Sequence, residues 1–228
     1  MNVIVFDLGG TLMEYTGMPY SWADYYTQGF TAISEKYCPN ASRQDIARSA
    51  EILKRYNPRV NYREEELSAE FLFMKALEHW RLTVPVTECI GAFFEGMELK
   101  PVIYPDALPV LEELKSRGYR VAALTDLPSG MPDELFKKDI PELLEHFDLY
   151  VSSQSCGFRK PNSSGLRLIA EHFGVPLTEL VFVGDEQKDI ACAKNAGVFS
   201  VLISRNGSAG NFGQDREIRA LSELSCIF

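Results

Sequence analysis

The chain has 228 residues, 46% hydrophobic and 24% charged, which fits one large soluble domain or a core carrying one insertion. Twelve Pro and 16 Gly leave no room for a collagen-like or broadly disordered composition, and 23 Lys plus Arg against 32 Asp plus Glu give a net charge of −9. That balance disfavours nucleic acid as the main partner, because a phosphate backbone needs a basic face, but it allows a local site for a small phosphorylated ligand.

No segment approaches the ~20 apolar residues of a membrane span. The start of the chain lacks a basic opening, and its apolar run is too short for a signal peptide, so the expected location is cytoplasmic with no membrane partner. Residues 3–6 form the first of several short apolar runs without polar alternation; the others are 121–124, 180–183, 199–203 and, more weakly, 149–151. Such runs predict strands covered on both faces, as in a parallel sheet. From about residue 15 to about residue 100 the pattern changes. Helices are predicted over 21–37, 42–56, 64–81 and 87–97, the third carrying Leu67, Phe71, Met74 and Leu77 at helical spacing. Glu64-Glu65-Glu66 reads as its solvated start, favourable to the helix dipole. Tyr20, Trp22, Tyr25, Tyr26 and Phe30 read as packing within this helical region, as does Phe93-Phe94. Further on, helices over 107–117, from a cap at Asn162 to Gly174, and over 189–195 alternate with strands. The fold class is therefore α/β: a doubly wound parallel sheet from residues 1–14 and 98–228, with an inserted all-helical domain over residues 15–97.

The five cysteines, Cys38, Cys89, Cys156, Cys192 and Cys226, are odd in number and form no Cys-x-x-Cys pair, which speaks against a zinc site or a disulfide framework. His79, His146 and His172 are scattered, which speaks against histidine catalysis. In open α/β sheets, ligands bind beyond the carboxyl ends of the strands. There the sequence places Asp7-Leu8-Gly9-Gly10-Thr11, Thr125-Asp126, Arg159-Lys160-Pro161 and Gly184-Asp185-Glu186-Gln187-Lys188-Asp189. The carboxylates of Asp7 and Asp185 suit a hard cation such as Mg²⁺. Lys160 supplies a charge for a carboxylate or phosphate oxygen. The Gly9-Gly10 turn lets backbone N–H groups come close to an anion.

In these motifs and their order the sequence resembles the haloacid dehalogenase-like superfamily, mostly Mg²⁺-dependent phosphatases. The resemblance covers the whole chain: Asp7-x-Gly9-Gly10-Thr11-Leu12, then Thr125, then Lys160 before Pro161, then Gly184-Asp185 with Asp189. The helical insertion matches the family's helical cap, which closes over substrate. The resemblance implies Asp7 as a nucleophile forming an aspartyl-phosphate. It implies Thr125 and Lys160 as catalytic partners, with Gly10, Thr125, Asp126 and Lys160 around the substrate. Mg²⁺ would be held by Asp7, the Gly9 carbonyl and Asp185, with Asp189 in support. The implied substrate is a small phosphorylated metabolite. Asp126 stands where the family commonly has Asn, adding a negative charge near the phosphate.

Gly9 departs from the family pattern. Phosphatases of the family carry a second Asp there, which protonates the leaving group and then activates water. Glycine cannot move a proton, and general acid–base help is typically worth ~10²–10⁴-fold in rate. Three readings follow: a phosphatase whose proton carrier is water, Glu14 or a cap side chain; a hydrolase acting at carbon, with Lys54 or Lys75 as nominal Schiff-base candidates; or a non-catalytic binding protein on the same scaffold. Dehalogenases of the family work without metal, so the presence of Asp185 and Asp189 counts against them.

Overall fold

The computed structural model describes residues 2–18, 22–207 and 210–228. Tyr20 and Ser21, which the sequence places in the helical region, lie outside them. The strands are β1 Val3–Phe6, β2 Met13–Tyr15, β3 Pro101–Ile103, β4 Arg120–Thr125, β5 Leu149–Ser152, β6 Leu180–Gly184, β7 Phe199–Ile203 and β8 Arg216–Ile218. The α-helices are α1 Tyr26–Tyr37, α2 Arg43–Arg55, α3 Ala69–Ala76, α4 Val86–Gly96, α5 Ala107–Ser116, α6 Asp133–Lys138, α7 Pro141–Leu144, α8 Ser153–Cys156, α9 Ser164–Phe173 and α10 Gln187–Ala196. Among the described residues, no helix is long and apolar enough to cross a membrane.

Six strands form one parallel sheet in the order β5-β4-β1-β6-β7-β8, and β2 pairs with β3 separately. Every residue of β1 and β6 is buried, which explains runs without polar alternation. Val3, Val5, Leu124, Leu180 and Phe182 pack with Leu166 and Ile169 of α9 and with Cys192 and Ala193 of α10. The chain leaves β1 toward β4 and β5, then returns to β1's other side for β6. That reversal makes the β1/β6 boundary a topological switch point, where α/β sheets open a crevice at their carboxyl edge. Asn162 serves the start of α9 from one position before the cap: its side-chain oxygen accepts the Ser164 N–H at 2.9 Å.

Contacts divide the chain into an α/β unit of residues 1–14, 101–126 and 137–228 and a helical unit of residues 15–100 and 127–136. The second piece of the helical unit was not apparent from the sequence, which assigns everything after residue 98 to the sheet. Its Leu127, Met131 and Phe136 are buried, and a Cβ added at Gly130 would stand 2.8 Å from the Phe73 ring. The helical unit centres on fully buried Phe30, Phe73 and Phe93, with Phe93 5.0 Å from each of the other two ring centroids. Tyr26 is buried with them, while Trp22 and Tyr25 are half-buried.

Two expectations for the helical unit are corrected. Glu64-Glu65-Glu66 does not start a helix; α3 begins at Ala69, capped by the Ser68 hydroxyl. Arg63 donates to the main-chain carbonyls of Tyr56 and Glu65 and pairs with Glu66 at 3.7 Å, which holds the triplet as a loop. The apolar phase of α3 also differs: Leu72, Phe73 and Ala76 face inward, whereas Phe71 and Met74 are exposed. An eight-residue helix with apolar residues on both sides leaves the spacing ambiguous, and packing against Phe30 and Phe93 decides it.

Buried Ser49 ties α2 to the end of α3: its hydroxyl donates to the Ala76 carbonyl and accepts the Trp80 indole N–H, both at 2.8 Å. Ser49→Ala strands both partners away from water. Thermal or urea denaturation is expected to show a loss of about 1–3 kcal/mol, the usual cost of unsatisfied buried polar groups; an unchanged midpoint would show that the two groups find other partners.

Candidate active site

The sheet delivers its polar groups to one edge. Asp7 follows β1, its own N–H bonded to the Val183 carbonyl of β6 at 2.9 Å, so the two strands fix where its side chain starts. Thr125 ends β4 on β1's other side and is buried. Asp185 follows β6, and Asp189 lies in the first turn of α10.

Lys160 is the centre of the arrangement. Its Nζ stands 2.6 Å from Asp7 Oδ1 and 2.7 Å from Asp189 Oδ1, with its side chain 2% exposed. Asp189 Oδ2 accepts the Glu186 N–H at 2.9 Å, so one carboxylate both closes the start of α10 and grips the lysine. Asp185 Oδ1 accepts the Thr11 hydroxyl at 3.1 Å. Asp126 Oδ1 accepts the Lys160 backbone N–H at 3.0 Å, and its Oδ2 pairs with Lys188 at 3.1 Å.

The electrostatics follow from crowding. Burial, reinforced by Asp189, pushes the Asp7 carboxyl up to about 7 even though Lys160 and Lys188 pull it down. Burial and the neighbouring Asp189 and Asp7 hold Asp185 well above the ordinary carboxylate range. For Lys160, burial opposes the charge, but Asp189 and Asp7 outweigh it and hold the ammonium well above its usual value. Burial would likewise raise Asp126, but Lys188, Lys160 and Arg159 overcome it and hold this carboxyl far down.

Asp7, Asp185 and Asp189 each offer a carboxylate oxygen within 4.8 Å of the others. One lysine ammonium serves Asp7 and Asp189, and among the described residues Asp185 has only a hydroxyl donor, so the cluster there is short of positive charge. This all-oxygen, carboxylate-rich set fits a hard divalent cation.

In the turn between Asp7 and Thr11, Gly10 is set by space and its own N–H is engaged. Gly10, at φ +85°, adopts a conformation costly for other residues, and an added Cβ would collide with the Asp185 carboxylate. Its N–H donates to the Met13 carbonyl at 2.8 Å, which corrects the expectation that this group is available to an anion. Gly9 differs: an added Cβ would meet nothing within 4 Å. Glu14 is exposed and accepts the Tyr104 hydroxyl at 2.9 Å. Lys54 and Lys75 lie on α2 and α3 of the helical unit.

Two groups escaped the sequence reading. Lys188 has no motif signature, although a buried Asp126 calls for a cation nearby. Arg205, after β7, donates to the Thr11 carbonyl at 2.7 Å, pairs with Asp106 at 3.0 Å and stacks 3.9 Å from the Tyr104 ring centroid. Nothing local in the sequence marks it; it is found only once β7 lies beside β6.

A family model described as haloacid dehalogenase-like hydrolase matches residues 1–197. A phosphoglycolate phosphatase from Vibrio vulnificus is 29% identical over 209 residues, 88% of this chain and 82% of its own length. A phosphatase from Mycobacterium tuberculosis is 34% identical over 124 residues, 54% of this chain and 55% of its own length, so that match spans about half of each protein. Among solved structures, a phosphatase of the same family from Thermococcus onnurineus aligns over 100% of this chain and 97% of its own, with TM-score 0.66 and 26% identity. A 2-haloacid dehalogenase from Pseudomonas syringae aligns over the same shares with TM-score 0.72 at 21% identity, a likeness of fold.

The elevated Asp7 carboxyl sets a pH dependence of stability. The folded protein keeps the Asp7 proton up to about 7, whereas the ordinary value is 3.8. Across that window the folded state binds more protons, so this group's contribution to stability falls as pH rises. In metal-free protein, Asp7→Asn is expected to melt higher than wild type at about pH 8, and the gap to close toward about pH 4. Equal melting curves at both ends would show that Lys160 fully offsets the burial of Asp7.

Proposed function

The chain belongs to the haloacid dehalogenase-like hydrolase family, and from that premise we propose that it is a phosphatase acting on a small phosphorylated metabolite through Asp7. The observation that carries this reading is Lys160 seated between Asp7 and Asp189 at 2.6 and 2.7 Å, with Asp185 beside them. The phosphatase names of the Vibrio and Mycobacterium relatives support it.

Lys160 engages one Asp7 oxygen and leaves the other to attack phosphorus. The new O–P bond forms as the bond to the leaving oxygen breaks, giving an aspartyl-phosphate. Lys160 remains charged where the phosphoryl oxygens arrive, and the Thr125 hydroxyl donates to one of them. The leaving oxygen takes its proton from water, because Gly9 has none to give. A second water then attacks phosphorus, releasing phosphate and restoring the Asp7 carboxylate. A Mg²⁺ ion held by Asp7, Asp185 and the Gly9 carbonyl, with Asp189 in support, would neutralise charge on the transferring phosphoryl group. Without a side-chain acid, good leaving groups such as acyl and aryl phosphates are favoured over alkyl esters.

Gly9 also favours a second reading, a binding protein on this scaffold that holds metal and phosphate without hydrolysis. Aryl phosphate turnover decides between them. Metal-dependent release is expected in wild type and is expected to vanish in Asp7→Asn. A Cβ at Gly9 would meet nothing within 4 Å, and Gly9→Asp is expected to raise turnover by up to ~10²–10⁴-fold, the usual worth of general acid–base catalysis. Full activity in Asp7→Asn would overturn the nucleophile assignment. Phosphate and Mg²⁺ binding with no turnover in wild type across aryl and acyl phosphates would establish the second reading.

A further inference from the structure

Lys160 is held at both ends, and both holds trace to one turn of α10. Its ammonium is gripped by Asp189 at 2.7 Å. Its backbone N–H is gripped by Asp126 at 3.0 Å, and Asp126 is in turn paired with Lys188, the residue before Asp189, at 3.1 Å. Lys188 also reaches Glu186 at 3.2 Å, which keeps its ammonium aligned over the start of the helix. The Asp126 side chain is 6% exposed and that of Lys188 is 29% exposed, so the carboxylate is inside and the cation lies toward solvent.

We propose that Asp126 and Lys188 are a matched positioning pair: Asp126 anchors the Lys160 segment, and Lys188 neutralises Asp126 so that the anchor does not repel the substrate's phosphoryl group. The inference rests on the phosphatase reading for its substrate. An aspartate beside a phosphate site is unfavourable alone, because a buried like charge weakens anion binding. With its partner the pair is neutral, and the anchor survives, since one Asp126 oxygen serves the backbone and the other serves the cation. Removing either member alone unbalances the charge; removing both restores the wild-type balance, with Glu186 present in each case, and Asn at 126 still accepts the Lys160 N–H through its amide oxygen.

A double-mutant cycle on the full chain tests this, with inorganic phosphate binding in Mg²⁺ followed by calorimetry, KM and kcat for an aryl phosphate, and melting temperature without metal. K188M is expected to weaken phosphate binding and raise KM by about tenfold, within the span usual for contacting charged residues. D126N is expected to bind phosphate no more weakly than wild type. D126N/K188M is expected to recover most of the affinity that K188M loses, and K188R to stay within about threefold of wild type because it keeps the charge. A double variant as weak as K188M would overturn the pair and show that Lys188 touches the anion directly. Wild type that binds no phosphate would defeat the phosphatase reading instead. The pair is then judged on melting alone: a double variant more stable than the two single losses predict supports it, and additive losses overturn it.

Discussion

The buried ammonium of Lys160 is the interaction on which the site depends. Asp7, Asp185 and Asp189 are brought within 4.8 Å of one another at an edge where little water reaches. Burial first, and repulsion between neighbouring carboxylates second, hold the Asp7 and Asp185 carboxyls above their ordinary range. A single cation between Asp7 and Asp189 relieves part of that strain, and a divalent ion would relieve the rest. Stability is given up locally so that three carboxylates and an ammonium can share a few ångströms.

Backbone architecture makes this arrangement possible. Parallel strands place the ends of β1, β4 and β6 side by side at the same edge, and the start of α10 presents Asp189 to the same point. The glycines of the turn after β1 then divide the labour. Gly10 is required for contact, since any side chain there strikes Asp185; at Gly9 a Cβ would meet nothing within 4 Å, so crowding does not require glycine there.

Around this centre lies a second layer of charge. Asp126 and Lys188 hold the Lys160 segment, while Arg205 links the Thr11 carbonyl to Asp106 and Tyr104. These groups come from β4, α10, the loop after β7 and the start of α5, which are distant in sequence. Each fixes an atom that in turn fixes a residue at the cluster, so their removal is read in the geometry of Lys160 and Asp185.

The sequence alone determined five of the six strands of the parallel sheet and the polar groups beyond them; β8, with Arg216 and Glu217 exposed, carries no apolar run. Buried strands announce themselves as short apolar runs; Asp7, Thr125 and Asp185 each follow one in a recognisable motif, and Lys160 lies before Pro161 beyond the short α8. It could not set the inward face of α3, because an eight-residue helix with apolar residues all round has no decisive period; contact with Phe30 and Phe93 chose Leu72 and Phe73 over Phe71 and Met74. Nor could it show that residues 127–136 pack with the helical unit, that Gly10's N–H is already spent on Met13, or that Lys188 and Arg205 serve the site. Those facts depend on which charges and surfaces meet when distant segments pack, and only the tertiary structure brings them within reach of one another.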